Sequence, residues 1–209
     1  MAGQSKQGQK LKVLGIAGSP RRGGNTELLL KEVMAGAASN GAETKLVILS
    51  ELKFAACRHC DGCLRTGRCV INDDMQWIHT ELREADRFVL ASPIFFMGLT
   101  AQAKAMIDRC QALWMLKHAL KLPVALYPDR ERRGLFVSTG GTSGANLFKP
   151  AIATMKIWYK ILDIAYSGDL LFPGVDEKGA ILQHPSALEE AFLSGQRLVE
   201  NMSPAASSE

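Results

Sequence analysis

The sequence predicts an α/β fold: a three-layer sandwich with a five-stranded parallel sheet in the order 2-1-3-4-5 and a cysteine-rich loop insertion. Three observations carry that prediction. Short apolar runs without polar alternation recur along the chain, the pattern of strands buried on both faces. Stretches with apolar residues at helical spacing separate them. The loops that follow the strand ends are built from Gly, Pro, Ser and Thr, the residues that turn a strand into a helix.

Each element has its own signal. Lys12–Ala17 is a short apolar run that meets Gly18-Ser19-Pro20, so it reads as the first strand. Asn25 to about Ser39 carries Leu28, Leu29, Val33 and Ala37 at helical spacing, with Thr26 near its start and Asn40-Gly41 as its stop. Thr44–Leu49 is the second strand. Asp73–Arg83 reads as a helix whose acidic start suits the positive end of the helix dipole. Arg87–Ala91 is the third strand, stopped by Ser92-Pro93, and Thr100–Leu120 is one long helix. Gly134–Ser138 is the fourth strand and Pro150–Leu162 a helix with proline in its first turn. Ile164–Phe172 is the fifth strand, and Ser186–Asn201 the last helix.

Length and composition narrow the class. The 209 residues, 47% of them apolar, suffice for one core, and we expect a single domain over 11–202 with its cysteine loop at 55–72. Residues 1–10 and 203–209 are polar and small, so tails are expected there. A net charge of +4 with scattered Lys and Arg excludes a nucleic-acid tract. No apolar run approaches a bilayer span, and the first residues lack the apolar core of a secretory signal, so the expected compartment is the cytoplasm.

Three loops at strand ends hold the unusual chemistry, where ligands of such sheets sit. In Gly18–Thr26, glycines permit close backbone approach, and the free N–H groups at a helix start attract an anion. Ser19, Asn25 and Thr26 add neutral donors, and Arg21 or Arg22 adds charge, so a phosphate fits. The loop has no lysine after its glycines and matches neither the nucleotide triphosphatase loop nor the dinucleotide fingerprint. Pro93–Gly98 and Thr139–Gly144 are the second and third loops.

The densest signal is Cys57, Cys60, Cys63 and Cys69, spaced C-x2-C-x2-C-x5-C. In a reducing compartment clustered thiols read as metal ligands rather than disulfides, and an odd total of five cysteines agrees. Three cysteines at x2 spacing reach three corners of an iron–sulfur cubane, and Cys69 supplies a fourth ligand. Arg58, Arg65 and Arg68 offset the negative charge of such a centre. Zinc is the rival reading, although structural zinc sites take two separated ligand pairs. A redox-active Cys60–Cys63 dithiol is the third. Cys110 reads as a small buried apolar residue. Arg130–Arg133 reads as a solvated basic loop, and Asp108-Arg109 as a helix-surface ion pair.

Gly-Ser-Pro-Arg-x-x-Gly-Asn-Thr after the first strand resembles the phosphate loop of the NADPH-dependent FMN reductases, a flavodoxin-like family. Ser92–Gly98, followed by Ala101, Lys104 and Ile107-Asp108-Arg109, resembles that family's second flavin loop and helix. The cysteine run followed by Asp73-Asp74-Met75 is similar to its iron–sulfur flavoprotein branch. The resemblance implies a flavodoxin-like three-layer sandwich binding FMN and a [4Fe–4S] cluster. It implies that Ser19, Arg21, Asn25 and Thr26 hold the FMN phosphate, that Pro93, Ile94, Phe95, Phe96 and Gly98 line the isoalloxazine ring, and that Thr139, Gly140 and Gly141 approach it. Cys57, Cys60, Cys63 and Cys69 would ligate the metal. The expected activity is electron transfer between flavin and cluster with NAD(P)H or a ferredoxin-like carrier as donor, in a homodimer or homotetramer whose cluster lies near the neighbouring subunit's flavin. No acid–base side chain is required, because hydride transfer to flavin depends on positioning. Two alternatives stay open: an NAD(P)H-dependent FMN or quinone reductase whose cysteine loop holds zinc or is not redox-active, and a flavin-binding carrier or sensor without turnover.

Overall fold

A computed structural model describes residues 10–200. The tails expected at 1–10 and 203–209 fall outside the described residues, Lys10 apart. Five strands form one sheet: β1 (Lys12–Ala17), β2 (Glu43–Ile48), β3 (Arg87–Ala91), β4 (Arg133–Gly140) and β5 (Ala165–Pro173). Their order is β2-β1-β3-β4-β5, and every pair is parallel, as the alternation of runs and helices predicts.

The helices are α1 (Asn25–Ser39), α2 (Met75–Glu84), α3 (Ala101–Arg109), α4 (Gln111–His118), α5 (Lys149–Ile161) and α6 (Ala187–Val199). Successive strand residues point to opposite faces, and so build two cores. Leu14, Ile16, Phe88, Leu90 and Phe136 pack under α2–α5, with Met75, Ile78, Met106, Met155 and Trp158. Val13, Ala17, Val89, Leu135 and Val137 pack under α1 and α6, with Leu29, Leu30, Val33 and Ala191. Gly36 and Gly195 let α1 and α6 cross at backbone contact, where a Cβ on either would strike the other helix's carbonyl. Among the described residues no helix is long and apolar enough to cross a membrane.

The single helix expected over Thr100–Leu120 is two. The break falls at Cys110, which ends α3 and begins α4 with ψ near 2°. The carbonyl of Arg109 would accept the N–H of Leu113 in an unbroken helix. Instead His79 Nε2–H donates to it at 3.1 Å, and Leu113 N–H turns to Cys110 O at 2.9 Å. The basic stretch is also not a solvated loop. Arg132 is buried, stacks over Phe88 and donates to the carbonyls of Ala85, Leu162 and Leu82. Arg130 pairs with buried Asp86, and Arg133 with Glu131. These arginines fasten the N-terminal ends of the strands, opposite the loops expected to bind cofactor.

Candidate functional site

The C-terminal ends of β1, β3 and β4 open into a cleft of about 160 Å³. Ser19, Arg21, Asn25, Thr26, Pro93, Ile94, Phe95, Thr139, Gly140 and Gly141 line it together. Phe96 and Gly98 do not reach the lining: they form the outer part of the second loop, with Phe96 fully exposed. A larger cavity, about 500 Å³, lies elsewhere, beside Arg133, Tyr166 and Arg197, and none of the expected ligand residues lines it. Chemistry, not size, selects the cleft.

The first loop is held from within. Ser19 Oγ accepts from Arg21 N–H at 3.1 Å, closing a tight turn. Gly23 takes a φ of 63°, where a side chain would be strained. Its N–H donates to Glu27 Oε2 at 2.8 Å. Glu27 is buried and also pairs with Arg22 and with Lys31 at 2.9 Å. Burial works to raise its pKa, but Lys31, the Gly23 N–H and Arg22 outweigh that and bring it down to about 2. Arg22 is further tied to Glu51, which leaves Arg21 as the loop arginine on the cleft.

Asn25 lines the cleft and has a second task as well. Its amide nitrogen donates to Glu177 O at 2.8 Å and its oxygen accepts from Ile181 N–H at 3.3 Å. The side chain therefore staples the loop after β5 to the first loop. That loop supplies a wall that sequence reasoning missed: Val175 and Asp176 line the cleft, and Asp176 packs where Gly141 lacks a side chain. Lys178 lies over Gly23, with its Cε 3.7 Å and Nζ 3.9 Å from where a Cβ would stand. No motif marked these residues; the chain brings them back only through tertiary packing.

The second loop is tied to the third and closed on itself. Ile94 N–H donates to Thr139 O at 2.9 Å, and Ser138 Oγ donates to Ser92 O at 2.7 Å, tying loops two and three. Phe95 and Gly98 exchange hydrogen bonds at 3.0 and 2.9 Å across Phe96 and Met97, whose φ values of 48° and 66° are both left-handed. Thr100 caps α3, accepting from Ala103 N–H at 3.2 Å, while its hydroxyl donates to Gly18 O. The start of α3 is thereby fixed to the first loop.

The end of α3 is fixed to the cysteine loop. Cys57, Cys60, Cys63 and Cys69 line one small cavity of about 20 Å³, together with Arg58, His59, Arg109 and Met115. Asp73 Oδ2 accepts from Ala55 N–H at 3.1 Å and Asp74 Oδ2 from Lys53 N–H at 2.6 Å, so the two aspartates close the loop's base. Gln76 donates to the carbonyls of Cys69 and Ile71 at 2.9 and 2.7 Å. Arg109 is not on a helix surface but buried, in a two-pronged pair with Asp73 at 2.7 and 2.9 Å. Burial lowers its pKa, yet Asp73 and then the Cys69 sulfur outweigh that and raise it. Asp108 pairs instead with Lys104.

The thiols themselves are differentiated. The Gly62 N–H and then Arg58 draw the exposed Cys60 thiol below its ordinary pKa. Burial, then the nearby Cys69, Cys57 and Cys60, push Cys63 up. All five cysteines are free thiols, and burial lifts Cys110 to about 12. Among the described residues no three of His, Cys, Asp or Glu are gathered tightly enough to hold one metal ion. A cubane binds each sulfur to a different iron and so spreads its ligands. In donor type, in number and in the shared cavity with a buried arginine, the residues fit an iron–sulfur centre.

Comparison with known proteins places this arrangement. The NADPH-dependent FMN reductase family model matches residues 11–168. An iron–sulfur flavoprotein of Methanosarcina thermophila is 33% identical over 159 residues, covering 76% of this chain and 78% of that protein. An iron–sulfur flavoprotein of Methanocaldococcus jannaschii is 41% identical over 103 residues, covering 49% of this chain and 53% of that protein, about half its length. Among solved structures, an NAD(P)H:quinone oxidoreductase from Methanothermobacter marburgensis superposes with a TM-score of 0.71 at 15% identity, over 93% of this chain and 99% of that one, a likeness of fold. The flavodoxin-like sandwich read from the sequence is therefore the observed one, and the chain belongs to the NADPH-dependent FMN reductase family, alongside the iron–sulfur flavoproteins.

Proposed function

We propose that the chain is an FMN-dependent oxidoreductase of the iron–sulfur flavoprotein type, with residues 11–202 acting as one FMN-binding domain. Ser19, Arg21, Asn25 and Thr26 hold the phosphate together with the N–H groups that open α1, and Lys178 adds charge from the loop after β5. A cleft of about 160 Å³ takes the phosphate and ribityl chain, and the ring lies across the rim made by Pro93, Ile94 and Phe95. Thr139, Gly140 and Gly141 approach the ring edge, where Asp176 offers an acceptor to a ring N–H. Cys57, Cys60, Cys63 and Cys69 hold a [4Fe–4S] cluster.

The observation that carries this reading is α3. Thr100 fixes its first residue to the phosphate loop and Arg109 its last to the cysteine cavity. Nine residues rising 1.5 Å each make α3 about 14 Å long, a single rigid element that joins the first loop to the cysteine loop. FMN exchanges electrons singly or in pairs and a cluster singly, so a chain holding both links a two-electron donor to a one-electron partner. NAD(P)H or a ferredoxin-like carrier is the donor of choice for that chemistry, and a homodimer or homotetramer its setting.

Cys60→Ala tests the relay. The variant is expected to keep FMN and lose iron, and to pass electrons to a one-electron acceptor far more slowly than its parent. Equal rates with iron lost would overturn the relay.

A further inference from the structure

Arg109 is among the largest fully buried side chains of the molecule. Its Nη1 donates to Ala55 O at 2.8 Å and to Asp73, and its Nη2 to Asp73 and to Ile71 O at 3.5 Å. Ala55 stands two residues before Cys57, and Ile71 two residues after Cys69. One guanidinium therefore grips both ends of the cysteine loop. Its remaining donor, Nε–H, is buried and has no acceptor among the described residues. The other such atom, Trp158 Nε1, belongs to a core residue that does not line the cysteine cavity. Arg109 itself lines that cavity beside all four cysteines.

A buried N–H left without an acceptor is unfavourable, and of the acceptors that line this cavity, which include His59, Asp61 and Gln111, the Cys69 sulfur is the one close enough to act on Arg109. Hydrogen bonds to the sulfurs of an iron–sulfur centre stabilise its electron-rich reduced form. We infer that Arg109 is a positioning residue that closes the cysteine loop and donates its Nε–H to the Cys69 sulfur or a cluster sulfide, thereby raising the cluster's reduction potential. The inference rests on the proposed cluster.

Arg109→Lys keeps the positive charge opposite Asp73 and removes both the planar fork and the Nε–H. Iron and sulfide are measured first in the unmodified holoprotein, and the potential of parent and variant is then followed by a redox titration monitored by electron paramagnetic resonance. Loss of one charge-assisted hydrogen bond is expected to weaken electron uptake about tenfold, a downward shift of about 59 mV for one electron. A purely structural role would lower iron content and leave the potential of the remaining cluster unmoved, and that result overturns the inference. Should R109K fail to fold or load, protein with Arg58, Arg65 and Arg68 changed to lysine is labelled with 15N-arginine. A 15N coupling to the reduced cluster's spin supports the donor, and its absence overturns it. A parent without iron and sulfide overturns the cluster and Arg109's role together, whereas a loaded parent with an unshifted variant overturns Arg109's role alone.

Discussion

Replacing Glu27 with glutamine removes the charge on which the loop after β1 is folded. The carboxylate is buried, accepts the Gly23 N–H at 2.8 Å and faces Arg22 and Lys31. Its pKa falls from 4.5 to about 2, and at 1.36 kcal/mol for each pH unit this corresponds to about 3 kcal/mol of stabilisation. The sign follows from which state binds the proton. Below about 4.5 the unfolded carboxyl is protonated while the folded one stays charged, so the stabilisation is complete above that pH and disappears as pH falls toward 2. In Glu27→Gln the amide oxygen still accepts from Gly23, but Lys31 loses its partner and Arg22 keeps only Glu51. Denaturant unfolding of the parent and of E27Q at neutral pH is expected to show a loss of about 2–3 kcal/mol with an unchanged slope. Between pH 4.5 and about 2 the two curves are expected to converge. Equal stability at neutral pH, or acid limbs that run parallel, would refute the assignment of Glu27 as the loop's anchor.

Other perturbations separate the remaining parts. Lys178→Ala is expected to weaken FMN binding about tenfold, as one charge-assisted contact to phosphate is lost, and to leave riboflavin binding unchanged; equal losses for both ligands, read by flavin fluorescence, would place Lys178 outside the phosphate site. His79 is buried neutral, and burial holds its pKa down to about 4 from 6.5. Its unfolded form takes up a proton first, so stability is full above 6.5 and declines as pH falls toward 4. His79→Gln keeps a donor for the Arg109 carbonyl and is expected to lose that dependence; an unchanged pH profile in denaturant unfolding would show that another group carries it.

The parts of this molecule that were legible in the sequence are those fixed locally. Lys12–Ala17 and Arg87–Ala91 stand where the apolar runs place them, because central strands buried on both faces need unbroken apolar sequence. The loops after β1, β3 and β4 carry their own turn residues and meet in one cleft. What was not legible depends on partners distant in sequence. The break at Cys110 comes from His79, which lies 30 residues before the carbonyl it captures. That Asn25, besides lining the cleft, binds a loop more than 150 residues away had no local signal either. Arg109 and Arg132 looked like surface charges, and only the packing around them shows that each is enclosed by carbonyls or a carboxylate. Val175, Asp176 and Lys178 had no signal, since nothing in their neighbours' sequence says that the loop after β5 returns to the phosphate loop.

The most direct test of the central claim is the iron, sulfide, zinc and FMN content of the protein purified without oxygen. About four irons and four sulfides for each FMN is the predicted result. FMN accompanied by zinc, or by no metal, would contradict it and leave a flavin reductase whose cysteine loop is structural.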